Sequence, residues 1–153
     1  MIMKESIKKI RADQTFELRH PLLRKGQPLN SCRLDLDEDK LSLHLGAYKK
    51  DQLIGVLSAM PSSCPIYEKF RGIQFRAIAV HQDFQRKSLA SQLIQKAFLI
   101  LSKKYKPEHI WLNARVAANT LYTANGFTPI GTPFDINPIG LHQRFIKIMD
   151  YES

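Results

Sequence analysis

Two hydrophobic patterns meet near the middle of this chain, and the rest can be read outward from them. Residues 74–80, QFRAIAV, have strand composition, with Phe75, Ala77, Ala79 and Val80 apolar. From Leu89 the period changes to that of a helix: Leu89, Leu93, Ala97 and Leu101 recur on one face, and Ile94 and Phe98 widen it. Pro107 ends that helix, and Lys103 and Lys104 complement its negative C-terminal end. Upstream, residues 7–11 read as a short first strand, and Asp13 can cap a helix that opens with Gln14, Thr15, Phe16 and Glu17. Pro21 is expected to interrupt that helix or start its next segment, because its ring clashes with the preceding turn. Residues 26–40 are polar and show no helical period, so they predict a long loop with at most one helical turn. Residues 41–49 and 53–60 form a hairpin about Lys50, Asp51 and Gln52, and the run Pro61 to Pro65 breaks its second strand. Downstream the pattern predicts a strand at 109–113 and a helix at 116–125, closed by Gly126 as a left-handed C′ residue. Strands at 127–136 and 141–149 follow, separated by residues 137–140. Strands first, then alternating helix and strand, argue for an α/β chain with a mixed sheet and helices on both faces.

Between the central strand and helix stands Gln85-Arg86-Lys87-Ser88-Leu89-Ala90. A basic turn that opens a helix makes an anion site, since free backbone N–H groups and the positive end of the helix dipole point at the docked charge. The plain alternative is an ordinary connection carrying two exposed cations.

Four segments, in order, carry a resemblance. QRKSLA is similar to the Q/R-x-x-G-x-G/A loop of the GNAT superfamily of N-acetyltransferases. QFRAIAVHQDFQRKSLA resembles that family's strand, spacer and loop. LYTANGF, residues 121–127, resembles its [LF]-Y-x-x-x-G-F block, and LRHPLLRKG, residues 18–26, resembles the L-R-x-x-x-L-R-P-G opening of one bacterial branch, with Lys25 in place of proline. The chain departs from the family at Ser88, where the loop's first glycine is expected; Ala90 is permitted. The resemblance implies one domain over residues 1–153, built on a mostly antiparallel sheet of about six to seven strands with helices on both faces. It also implies acetyl-CoA as co-substrate. Backbone groups of Ile78, Ala79 and Val80 would hold the pantetheine arm, whose amides can pair with a strand edge. Gln85, Arg86, Lys87, Ser88, Leu89 and Ala90 would cradle the pyrophosphate, and Arg115 stands where relatives face CoA, with a solvated arginine as the alternative.

Composition narrows the partners. A length of 153 residues suits one domain with a real core. No window approaches the roughly 20 apolar residues of a membrane span, and MIMKESIKKI has no apolar signal core. Cys32 and Cys64 are widely spaced with no histidine cluster, which favours free thiols of a cytoplasmic protein and no metal site. The net charge of +9 is compatible with a nucleic acid, an acidic surface or a polyanionic small molecule. Its cations are dispersed and not interleaved with aromatics, which argues against specific nucleic-acid binding and suits the phosphates of CoA. A homodimer is allowed.

Direct acetyl transfer requires a held thioester, a deprotonated amine, an oxyanion donor and an acid for the leaving thiolate. In the family pattern the Val80 N–H polarises the thioester and Tyr122 is the acid; without that pattern Tyr122 is a tyrosine packed on a helix. His142 is the candidate base, in a segment that resembles a G-P-H block with Leu141 replacing proline. His44, Glu68 and Asp35 are its rivals, and ordered water can serve instead. The expected function is transfer of an acetyl group to a primary amine of a small molecule or peptide. The alternative is a GNAT fold that binds acyl-CoA as a sensor or scaffold, motivated by Ser88.

Overall fold

A computed structural model of the chain describes residues 6–85 and 88–151. Seven strands form one sheet: β1 (Ser6–Lys9), β2 (Leu43–Lys49), β3 (Gln52–Pro61), β4 (Gly72–Val80), β5 (His109–Arg115), β6 (Thr128–Ile136) and β7 (Gly140–Ile148). Their spatial order is β1-β2-β3-β4-β5-β7-β6, and every neighbouring pair is antiparallel except β4–β5. Three helices accompany it: α1 (Phe16–Leu23), α2 (Leu89–Lys104) and α3 (Asn119–Ala124). This is the mixed, mostly antiparallel sheet that the sequence leads one to expect.

The helical stripe read from the sequence is the face that α2 buries. Leu89, Leu93, Ile94, Ala97 and Leu101 pack with Leu45, Ile54, Leu57, Phe75 and Leu112 of the sheet, and Tyr122 and Phe127 from the α3 region join them. The other face carries α1, whose Leu18 packs with Leu53, Val56 and Ala79. Among the described residues no helix is long and apolar enough to cross a membrane.

Three local expectations need correction. The helix does not start at Asp13: residues Ala12–Thr15 form a 3-10 turn, in which Gln14 Oε1 accepts from the Arg11 N–H at 2.7 Å. Pro21 lies inside α1, which continues to Leu23. The carbonyl that its ring deprives of a partner belongs to exposed Glu17 and opens to solvent, while buried Leu18 and Arg19 hold the helix on the sheet. The helix expected at 116–125 is a 3-10 turn, Val116–Ala118, followed by the shorter α3. Gly126 does take the left-handed conformation, at φ +90°, and Phe127 N–H donates to the Tyr122 carbonyl at 3.0 Å.

Candidate functional site

β4 and β5 pair only at their starts, through Gly72↔His109, Ile73↔Ile110 and Gln74↔Trp111. Beyond that point β4 continues from Phe75 to Val80 and β5 from Leu112 to Arg115, each without the other. The sheet is therefore split, and the β4 side of the split presents backbone N–H and C=O groups that no strand uses. Such an edge can take an extended amide chain as a further strand would.

A bulge sets how β4 faces the split. Val56 pairs with Ala79 and Ser58 with Arg76, so Ala77 and Ile78 together oppose the single residue Leu57. Ala77 sits at φ 53°, in the left-handed region that alanine rarely adopts. The extra residue resets the alternation. Ile73 and Phe75 face α2; after the bulge Ile78 and Val80 face it, while Ala79 turns to Leu18 of α1.

The turn after β4 is tied back to it. His81 N–H donates to the Ile54 carbonyl at 2.8 Å, and Gln85 Nε2 donates to the Val80 carbonyl at 3.0 Å. The Gln85 side chain thus acts as a strap that holds the loop against the strand end. Arg86 and Lys87, expected to touch the pyrophosphate, lie outside the described residues. Ser88 stands immediately before α2 at φ 60° and ψ 12°. It takes the left-handed backbone that glycine takes at no steric cost. Its hydroxyl does not cap the helix, contrary to the expectation that it could; Gln92 Nε2 donates to it at 3.3 Å. A helix starting at Leu89 leaves the N–H groups of Leu89, Ala90 and Ser91 without intrahelical acceptors. They form a donor cluster at the positive end of a 16-residue helix.

Relief of the strain at position 88 is testable. The left-handed backbone costs an L-residue about 1–2 kcal/mol, and glycine gives back about 0.5–1 kcal/mol through chain entropy. Ser88→Gly should therefore raise stability by up to about 1 kcal/mol in urea melts, with affinity for acetyl-CoA within about tenfold by calorimetry. A loss of stability would show that the serine is not strained.

Tyr122 is buried at the closed end of the split. Its ring meets Phe127 edge-on at 6.0 Å and Phe145 at 5.4 Å. Phe127 in turn touches Phe75, the first residue of β4 beyond the paired segment. Phe145 is the register partner of Leu112, the first such residue of β5. Tyr122 is therefore wedged under both arms where they part. Burial pushes its phenol up to about 12, so it is a proton donor at any physiological pH. Asn125 holds this part of the molecule together, a role that the sequence reading missed. Its Oδ1 accepts from Gln95 at 2.9 Å, and its Nδ2 donates to Ser91 Oγ at 3.0 Å and to the Leu121 carbonyl at 2.8 Å. One side chain locks α3 to the first turns of α2.

The candidate base is not beside the candidate acid. His142 is the register partner of Arg115 on β5 and Phe134 on β6. That position is three residues along β5 from Leu112 and on the opposite face, roughly 10 Å of strand from the Tyr122 level. His142 Nδ1 lies 2.8 Å from the Gly140 carbonyl, which can only accept, so Nδ1 is the donor and in the neutral ring Nε2 carries the lone pair. Phe134 stacks on its ring at 6.0 Å.

Of the rival bases, His44 is consumed by structure. Its ring nitrogens contact Ser58 Oγ at 2.7 Å and the Asp37 carbonyl at 2.9 Å. Asp35 and Glu68 are exposed on loops. His44 belongs to a buried polar cluster that the sequence reading also missed. Arg19 makes a two-pronged pair with Asp37, Nη1 to Oδ2 at 2.7 Å and Nη2 to Oδ1 at 2.9 Å. It donates further to the Cys32 carbonyl at 3.0 Å and Ser58 Oγ at 2.8 Å. The loop at 26–40 is thereby pinned over the α1 face of the sheet. Its signal in the sequence was only an arginine in a helix and an acid in a polar loop.

Known proteins resemble this chain at two levels. Residues 40–129 match the family model described as an acetyltransferase (GNAT) domain. The uncharacterized N-acetyltransferase YitI of Bacillus subtilis is 31% identical over 143 residues, which are 94% of this chain and 95% of that protein. Among solved structures, an acyl-CoA N-acyltransferase from Pseudomonas aeruginosa superposes with a TM-score of 0.72 at 14% identity, covering 94% of this chain and 99% of the other. An aminoglycoside 6′-N-acetyltransferase complexed with coenzyme A gives 0.72 at 13% identity, covering 97% and 99%. At such identities the structures share the fold.

Proposed function

The chain belongs to the GNAT acetyltransferases, and on that premise we propose that it moves an acetyl group from acetyl-CoA directly to a primary amine. The observation that carries this reading is the split itself. An unused strand edge, a helix N-terminus and a buried phenol converge on one opening. Pantetheine amides would pair along β4 between Phe75 and Val80. The pyrophosphate would meet the N–H groups of Leu89 and Ala90, with Arg86 and Lys87 supplying charge. That a similarly folded acetyltransferase was solved complexed with coenzyme A supports acetyl-CoA as the co-substrate.

The chemistry then balances as follows. The amine lone pair attacks the thioester carbonyl and forms the C–N bond, while the N–H of Val80 steadies the oxyanion. The C–S bond breaks, and Tyr122 gives its proton to the departing thiolate. The proton lost by the amine passes to His142 Nε2 through water, a relay that the separation of the two residues demands. The phenol recovers a proton from solvent after CoA leaves.

A sensor that binds acyl-CoA without turnover is the second reading, and the strained Ser88 is what favours it. Mixing the protein with acetyl-CoA and a panel of amines, and following released thiol, separates the two. Amine-dependent thiol release is expected. Saturable CoA binding with no release from any amine class would make the sensor reading the correct one.

A further inference from the structure

The face of the split opposite Tyr122 is lined by arginines. The row of paired residues His44, Ser58 and Arg76 lies on the α1 face, because Ser58 meets Arg19 of α1 there. Arg76 is thus the side chain of β4 that stands beside the opening on that face. Across it, Arg115 and Arg144 occupy positions on the same face, since Arg144 pairs with Asn113, two residues before Arg115. The Arg144 guanidinium is held in place. It lies 5.2 Å from the centre of the Trp111 ring, and its Nε donates to Asn113 Oδ1 at 3.3 Å, which leaves both terminal nitrogens for a ligand. His142 and Phe134 continue this surface.

None of the three guanidiniums forms an ion pair among the described residues. The acids on the α1 side are committed elsewhere. Asp37 is buried against Arg19, and Asp13 pairs with Arg11. Asp13, Glu38 and Asp39 line a separate cavity of 480 Å³ together with Arg11, Arg33 and His44. Asp35, Glu68 and Glu17 of α1 are the exposed remainder. Three unpaired cations around a mouth repel a second cation. They also offer the flat, forked donors that match a carboxylate or phosphate. The phosphates of CoA do not explain them, because the donors at the start of α2 lie on the other face, with Tyr122.

We propose that the acceptor is an anionic amine, whose carboxylate or phosphate is received by Arg76, Arg115 and Arg144 while its amino group enters the split. The proposal rests on the acetyl-transfer reading and gives it a substrate class. Polyamines and other purely cationic amines are poor acceptors on this account.

Matched probes test it. Thiol release is measured with O-phosphoethanolamine against ethanolamine, and with β-alanine against its amide, each corrected for its free-base fraction. The acid of each pair is expected to show at least a tenfold higher kcat/KM, and the better of the two acids identifies the anion. Arg76→Gln combined with Arg144→Gln should bring both ratios toward one, with acetyl-CoA affinity unchanged by calorimetry. Ratios near one in the natural protein, or ratios unmoved by the double substitution, overturn the proposal. If no probe releases thiol, the same pairs are titrated into the CoA-loaded protein. Tenfold tighter binding of the acids keeps the anion site and leaves the transfer reading to the full amine panel; equal binding overturns the anion site.

Discussion

Arg19→Met should cost about 3–5 kcal/mol of unfolding free energy, the range found when one partner of a buried ion pair is removed. The side chains of Arg19 and Asp37 are 2% and 0% exposed, so the abandoned carboxylate could not reach water without moving the loop. Two of the four oxygens that Arg19 Nη1 and Nη2 reach, the Cys32 carbonyl and Asp37 Oδ1, would be left buried and unpaired. Asp37 Oδ2 keeps the Leu34 N–H and Ser58 Oγ keeps the His44 ring; among the described residues Arg19 Nε has no partner even now. Methionine keeps the aliphatic bulk, which separates loss of charge from loss of packing. The pH dependence has a definite sign. Burial pushes the Asp37 carboxyl up, but hydrogen bonds from Arg19 and Leu34 and the nearby charges of Arg19 and His44 outweigh it, and it ends below its ordinary value of 3.8. A depressed carboxylate stabilises the fold above its unfolded value and loses that contribution only as pH falls through the lower folded value. The natural protein should therefore keep this term down to about pH 4. In Arg19→Met the same carboxyl stays buried and loses both Arg19 hydrogen bonds and its charge, keeping only the Leu34 N–H, so its value rises and the variant should gain stability on acidification from pH 7 to 5. Urea melts at both pH values check this. A loss below about 1 kcal/mol, or one that grows on acidification, would mean that the pair is not the anchor of the 26–40 loop.

What could be read along the chain was whatever local chemistry decides. The α2 stripe, the hairpin and the left-handed Gly126 each follow from residues within a few positions of one another, and the structure shows each of them. Pairings across long sequence separations were invisible. Arg19 and Asp37 are 18 residues apart, and neither carries a mark of burial in its neighbours. The bulge at Ala77 is imposed by the register of β3 on β4, and alanine gives no sign of a left-handed backbone. His142 was legible as a histidine in a family-like segment. Its face could not be read, because it depends on β7 inserting between β5 and β6. Asn125 was quoted within LYTANGF, yet its role as a strap needs Gln95 and Ser91, about thirty residues earlier.

Tyr122→Phe is the measurement that bears most directly on acetyl transfer through the split. Phenylalanine keeps the ring contacts with Phe127 and Phe145, and no hydrogen bond within the described residues engages the hydroxyl, so the fold loses little. What disappears is a proton held by a phenol pushed up to about 12, at the point where the arms of the sheet part. A thiolate leaving without that proton forms at full charge, and removal of a general acid typically slows such a step by roughly 10²–10⁴-fold. The test is single-turnover thiol release after acetyl-CoA-loaded protein is mixed with saturating acceptor, for the natural chain and the variant. The account predicts a rate lower by that factor, with the dissociation constant of acetyl-CoA changed less than about threefold. Equal single-turnover rates, with acetyl-CoA bound to both, would contradict it.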